Sequence, residues 1–218
     1  MYRFFIFCLF ILSSCKSENK DVINKLTIPE KIANAHGFEN WEKVSEIQFT
    51  FNVDRDSSHY ERSWVWKPKT NAVTMLTKKD TISYNRNKMD SISLKTDRAF
   101  VNDKYWALFP FQFVWDKDVH FSEPVKSQAP ISKEQLNKIT LLYGDEGGYT
   151  PGDAYDVFYD DNYSIKEWVF REGNTKKPSI TNTFENYENF NGIKIARDHK
   201  KAEGNWNLSI TNVKVKVD

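Results

Sequence analysis

The 218-residue chain is 39% hydrophobic and 28% charged, which suits one globular domain with a sizeable core. Its 31 lysines and arginines face 30 aspartates and glutamates, so the net charge is +1 and no field of either sign can steer nucleic acid or an acidic partner. The two cysteines, Cys8 and Cys15, both precede Lys16, which excludes a disulfide framework in the body of the chain.

Arg3 and the α-amino group form a short positive region, and residues 4–12 are an unbroken apolar run too short to span a bilayer. Leu12-Ser13-Ser14-Cys15 follows and resembles the lipobox of bacterial lipoproteins. The resemblance implies a signal peptide over residues 1–14, a diacylglycerol on the Cys15 thiol and acylation of the new amino group. No A-x-A-like site for an ordinary signal peptidase is present. Lys16 stands where an aspartate would resemble an inner-membrane retention signal, so the expected address is the outer membrane, facing the periplasm, with surface exposure as the alternative. Residues 15–26 then serve as lipidated cysteine and tether, and residues 27–218 as a single domain.

Thr27-Ile28-Pro29-Glu30 has the form of a capping box, Ile28, Ile32 and Ala35 keep helical spacing, and Gly37 is a natural stop. Residues 38–44 predict a further short turn with Trp41 and Val44 inward. Ile47, Phe49, Phe51 and Val53 alternate with polar residues as in a half-buried strand, and Tyr60, Arg62, Trp64 and Trp66 share one face of the next. Residues 72–77, 81–85 and 91–95 predict three more strands of an antiparallel meander.

From Phe100 to Trp115 the chain carries seven aromatics, with charges at Asp103, Lys104 and Asp116 to Asp118 bracketing the greasiest part. Asn102 or Asp103 is placed to cap a helix running to Phe109, and Pro110 to open a second short turn. A segment apolar on every side is a buried one. It is read either as core or as a hydrophobic plug that swings aside for an acyl chain. Strands resume over residues 139–143, 155–159, 165–171, 180–184, 193–197 and 206–217, the last with a phase slip at Thr211 and Asn212 that suggests a bulge.

Chemical motifs are sparse. Asp145, Glu146, Asp153 and Asp156 lie in a glycine-rich loop, but their spacing is not that of an EF-hand, and turn chemistry accounts for them. His36, His59, His120 and His199 are far apart, with no H-E-x-x-H and no cysteine partner, and no G-x-S-x-G is present. His36, beside Gly37, is expected to support the helix end through charge or a hydrogen bond. No catalytic residue, metal or cofactor is predicted, although carboxylates brought together from separate strands stay open at this level.

Ala35-His36-Gly37 with Trp41, then Phe109-Pro110-Phe111, then Tyr149 to Tyr155 with Thr150-Pro151-Gly152-Asp153, then Phe190-Asn191-Gly192-Ile193-Lys194 together resemble a family of uncharacterised bacterial lipoproteins similar to the LolA/LolB lipoprotein-carrier superfamily. That resemblance implies a mainly β (α+β) fold: a strongly curved antiparallel sheet, an unclosed half-barrel of about ten strands, with short helices covering its concave face. The function implied is a lipid-anchored, non-enzymatic envelope protein that binds a lipid or acyl chain between sheet and plug. No ligand-contacting residue is carried over from the carriers; the aromatic stretch and the second strand themselves offer Trp64, Trp66, Tyr105, Trp106, Phe109, Phe111, Phe113 and Trp115 as candidate ligand-binding residues. The alternative is a non-catalytic envelope module with a filled interior that holds a protein or glycan partner, with Trp64 and Trp66 as a stacking platform.

Overall fold

A computed structural model describes residues 25–146 and 150–218. The segments expected to be signal peptide and tether, apart from Lys25 and Leu26, lie outside the described residues with Cys15, as do Gly147, Gly148 and Tyr149 of the glycine-rich loop.

The domain opens on helix α1 (Ile28–Ala35), where the Thr27 hydroxyl accepts from the Glu30 amide and the Glu30 carboxylate accepts from the Thr27 amide, closing the expected capping box. Gly37 follows in the left-handed region with φ 91°, and a β-carbon there would sit 1.8 Å from the carbonyl oxygen of Gly192. Only glycine permits that approach, so two of the separated motifs meet in space. A 3-10 turn, Phe38–Lys43, leads into β1.

The first sheet runs in the order β13-β14-β1-β2-β3-β4. Its strands are β1 (Val44–Arg55), β2 (Ser58–Lys67), β3 (Ala72–Leu76), β4 (Thr81–Asn85), β13 (Asp198–Lys200) and β14 (Trp206–Val217). The second comprises β5 (Val119–Phe121), β6 (Val125–Gln128), β7 (Gln135–Tyr143), β8 (Ala154–Tyr159), β9 (Ile165–Arg171) and β10 (Ile180–Thr183), in the order β10-β9-β8-β7 with both β5 and β6 pairing with β7. Edge strands β13 and β10 meet where Glu185 bridges Asp198 and the Lys200 amide donates to the Thr183 hydroxyl. A hairpin of β11 (Glu188–Phe190) and β12 (Ile193–Ile195) completes the strands. All pairing is antiparallel, and the result is a strongly curved sheet that does not close into a barrel. The expected bulge is present: β14 slips register against Gln48 and Thr50 of β1, with Asn212 at φ 51°.

The inward face of β1 carries Ile47, Phe49 and Phe51, all nearly inaccessible to water, while the outward face of the same strand is polar and paired. There Thr50 meets Ser63 at 2.7 Å, and the Asn52 amide donates to Thr211 at 2.9 Å. One strand therefore serves two chemistries by period two alone.

Two expectations fail over residues 91–103. Residues 91–95 are not a strand; they begin α2 (Ser91–Ala107), which Asp90 caps through the Ser93 amide at 2.8 Å while Ser93 returns a bond to the Asp90 amide. The helix consequently starts eleven residues before Asn102 and twelve before Asp103, and neither caps it. Asp103 instead lies in its interior, fully buried. Fourteen strands are described where about ten are expected; short β5, β6, β11 and β13 carry too few residues to show a pattern.

Buried His36 and His199 tie the helices and the sheet junction in place. His36 Nδ1 donates to the Ile32 carbonyl at 2.8 Å while Nε2 accepts from the Ile165 amide, so the ring joins α1 to β9. It acts through hydrogen bonds and not through charge, because burial pushes its pKa down to about 4. His199 bonds the Thr183 carbonyl at 3.1 Å, and burial takes its pKa to about 4 as well. Both lie below the unfolded value near 6.5, so the unfolded chain binds these protons first. Stability is therefore full above about pH 6.5 and falls as the pH drops toward 4, by on the order of 3 kcal/mol for each ring. Exposed His59, whose pKa is raised by hydrogen bonds to Asp54 and Glu61, opposes this weakly. Urea midpoints measured from pH 7 to pH 5 are expected to fall, before most carboxylates titrate. A flat profile over that interval would contradict buried neutral rings.

Candidate functional site

The hollow of the sheet is filled by α2 and a second helix, α3 (Phe109–Trp115). Leu108 joins them at φ −124°, ψ 33°, outside helical geometry, and Pro110 occupies the first turn of α3, where its missing N–H costs nothing. The pair forms one bent lever, as expected from Pro110.

Its rings divide between two clusters. Phe100, Leu108 and Phe111 pack with Trp64 and Trp66 of β2 against the first sheet. Phe100 lies 5.3 Å from Trp64 and 5.5 Å from Trp66, and Phe111 stands edge-on to Trp41 and Trp115. Tyr105, Phe109 and Phe113 turn to the second sheet. Phe109 meets Trp168 at 4.6 Å, Tyr155 at 5.9 Å and Phe184 at 5.7 Å. Half-buried Trp106 bridges the two, touching Trp168 at 4.6 Å and Trp206 at 6.2 Å. The eight candidate residues are thus brought around one lever but onto opposite sides of it. Trp64 is 1% exposed and Trp66 7%, so neither offers a stacking platform to a glycan; they are large residues filling the curve of the sheet.

Three polar pins hold the lever. Asp103, with no surface open to water, accepts from both Nε and an η-nitrogen of Arg62 and from the Trp64 indole at 2.8 Å. Asp97 accepts from Arg86 at 2.9 Å and from the Tyr84 hydroxyl at 2.9 Å, with burial raising the tyrosine's pKa. At the far end Tyr143 bonds Tyr105 at 3.0 Å and donates to Asp116 at 2.6 Å. Burial lifts the Asp116 pKa above the usual carboxylate range, and it raises those of Tyr105 and Tyr143. Of the charges bracketing the aromatic stretch, Asp103 and Asp116 are therefore fastenings inside the fold, while Lys117 and Asp118 stay exposed.

Around the lever several buried polar atoms lack partners: the indole nitrogens of Trp66 and Trp168, Gln112 Nε2, both amide atoms of Asn182, and His199 Nε2. Buried groups of this kind cost the fold free energy wherever they stay unbonded. Among the loop acids, Asp153 accepts from the Gly173 amide and Asp156 pairs with Arg171, so both are spent on structure. Sequence reasoning missed Trp168, Tyr155 and Phe184 as lever contacts. The first two lie at inward positions of strands correctly read, but which strand faces the lever is a long-range fact.

No protein-family model matches the chain, and no curated protein sequence does. Solved structures are similar in fold. A DUF1329 family protein from Desulfovibrio piger superposes with a TM-score of 0.50 at 9% identity, over 87% of this chain and 92% of that one. A LolA superfamily protein from Nitrosomonas europaea gives 0.50 at 12% identity, over 88% and 94%. An outer membrane lipoprotein-sorting protein domain from Vibrio parahaemolyticus gives 0.45 at 11%, over 86% and 93%. The fold of this chain, a curved unclosed antiparallel sheet with short helices in its hollow, is LolA-like.

Proposed function

We propose that the protein is a lipid-anchored envelope protein, held at the outer membrane through Cys15 and facing the periplasm, that binds a lipid or acyl chain between its curved sheet and the α2–α3 lever. One observation carries the reading: the inner faces of both sheets are covered by two helices joined at a single non-helical residue, Leu108. Movement about that joint exposes apolar rings on both sides of the lever at once. The similarity to a LolA superfamily protein supports the same reading through fold alone.

A second reading, a module with a permanently filled interior, draws on the absence of water-accessible surface at Phe109 and Phe100. One preparation separates them. The full chain, extracted from envelope membranes of expressing cells, is examined by native mass spectrometry and by peptide mapping. The proposal predicts a diacylglyceryl mass on the Cys15 peptide and a further lipid released without bond cleavage. An unmodified Cys15 sinks the anchor, and a protein that neither carries nor takes up lipid favours the filled module.

A further inference from the structure

One corner of the lever has donors and no acceptor. Lys104, half-buried on α2, holds its Nζ 5.1 Å from the centre of the Trp115 ring and 5.9 Å from that of Trp66. Among the described residues no carboxylate lies within ion-pair distance of it. The charged groups nearest in effect are already engaged: Arg86 and Asp97 pair with each other, and Asp116 takes the Tyr143 hydroxyl. Trp66, beneath the ammonium, is buried, and its indole N–H has no acceptor either. An ammonium and an indole N–H can only donate, so both requirements at this corner are for an anionic or acceptor oxygen. Burial of the amine, aided by the positive charge of Arg86, draws its pKa down to about 8.

Beside these donors the surface is apolar and partly open. Trp41 packs on Trp66 at 5.3 Å and on Trp115 at 4.9 Å, and both Trp41 and Trp115 are half-buried. A donor pair flanked by half-buried tryptophan is the complement of an amphiphile: charged oxygen at one end, methylenes beyond it.

We propose that this corner is the headgroup subsite of the lipid site, taking an anionic amphiphile whose phosphate or carboxylate oxygens receive the Lys104 ammonium and the Trp66 indole N–H while its first methylenes lie on Trp41 and Trp115. The inference rests on the lipid-binding reading above and narrows it to anionic ligands. A lysine that merely rests its charge on tryptophan faces would give no headgroup preference.

Four probes with one tail test it: dodecanoate, dodecyl phosphate, neutral dodecanol and cationic dodecyltrimethylammonium, each titrated below its micelle concentration against tryptophan fluorescence of the full chain. At pH 7 the two anions are expected to bind about tenfold or more tighter than dodecanol, the scale of one charge-assisted contact. Phosphate leading carboxylate identifies a phospholipid-like head, and the reverse order a fatty acid. Lys104→Met keeps the apolar stem and is expected to erase the preference of the anions over dodecanol. The preference is expected to decline between pH 7 and pH 9 with the native lysine, and Lys104→Arg is expected to keep it and to abolish the decline. Equal affinity for all four probes, or a preference surviving Lys104→Met, overturns the subsite. No binding of any probe overturns the lipid-binding reading itself.

Discussion

Asp103→Ala is expected to destabilise the domain by about 3–5 kcal/mol, the usual consequence of stripping one partner from a buried ion pair. The substitution leaves the Arg62 guanidinium, 17% exposed, without its carboxylate and removes the acceptor of the Trp64 indole. The loss belongs to the orphaned charge more than to the pair, because bringing two charges out of water offsets most of their attraction. The double substitution Arg62→Met with Asp103→Leu is therefore expected to recover most of the stability that Asp103→Ala removes. Urea midpoints of the three proteins check both statements. A single variant within about 0.5 kcal/mol of wild type would mean that α2 is not held by this pin.

Phe109→Ala is the second large effect. The ring has no accessible surface and meets Trp168, Tyr155, Phe184, Tyr105 and Phe113, so removing it leaves a hole at the joint of the lever. The expected cost is about 3–5 kcal/mol from lost burial and the residual cavity together. For a domain of this size that lowers the melting temperature by roughly 10 °C. Val114→Ala on the same helix, where the side chain is 38% exposed, is expected to stay within about 0.5 kcal/mol. Comparable losses at the two positions would place α3 outside the core.

Much of the architecture is legible along the chain because strands and caps are local. The capping box of α1, the alternation of β1 and β9 and the bulge at Asn212 each follow from residues within a few positions of one another. The misreading of residues 91–95 is instructive. Ile92 and Leu94 alternate with serine as in a strand, yet they are 64% and 48% exposed, so their spacing reports no buried face. The decisive signal was Asp90 with Ser93, a capping pair lacking the glutamate or glutamine at its third position that usually marks a helix start. The site was legible as a greasy segment and no further. Asp103 and Lys104 are neighbours of similar polarity in the sequence, but α2 points one into the sheet against Arg62 and leaves the other half-buried on Trp66 and Trp115. Helical phase decides that, and the phase was lost once the helix start was misplaced. The approach of Gly37 to Gly192 is likewise set by the folded path and by nothing local.

The central claim is that an acyl chain takes space now filled by the rings of the lever, with α2 and α3 turning about Leu108. Photolabelling with a fatty acid carrying a diazirine at the chain end, followed by peptide mapping of the full chain, addresses it most directly. The account predicts adducts on Phe109 and on the β8 and β9 rings it covers, Tyr155 and Trp168, suppressed by excess unlabelled fatty acid. Adducts confined to exposed Ile92, Leu94 and Val114, with the interior rings unlabelled, would contradict it.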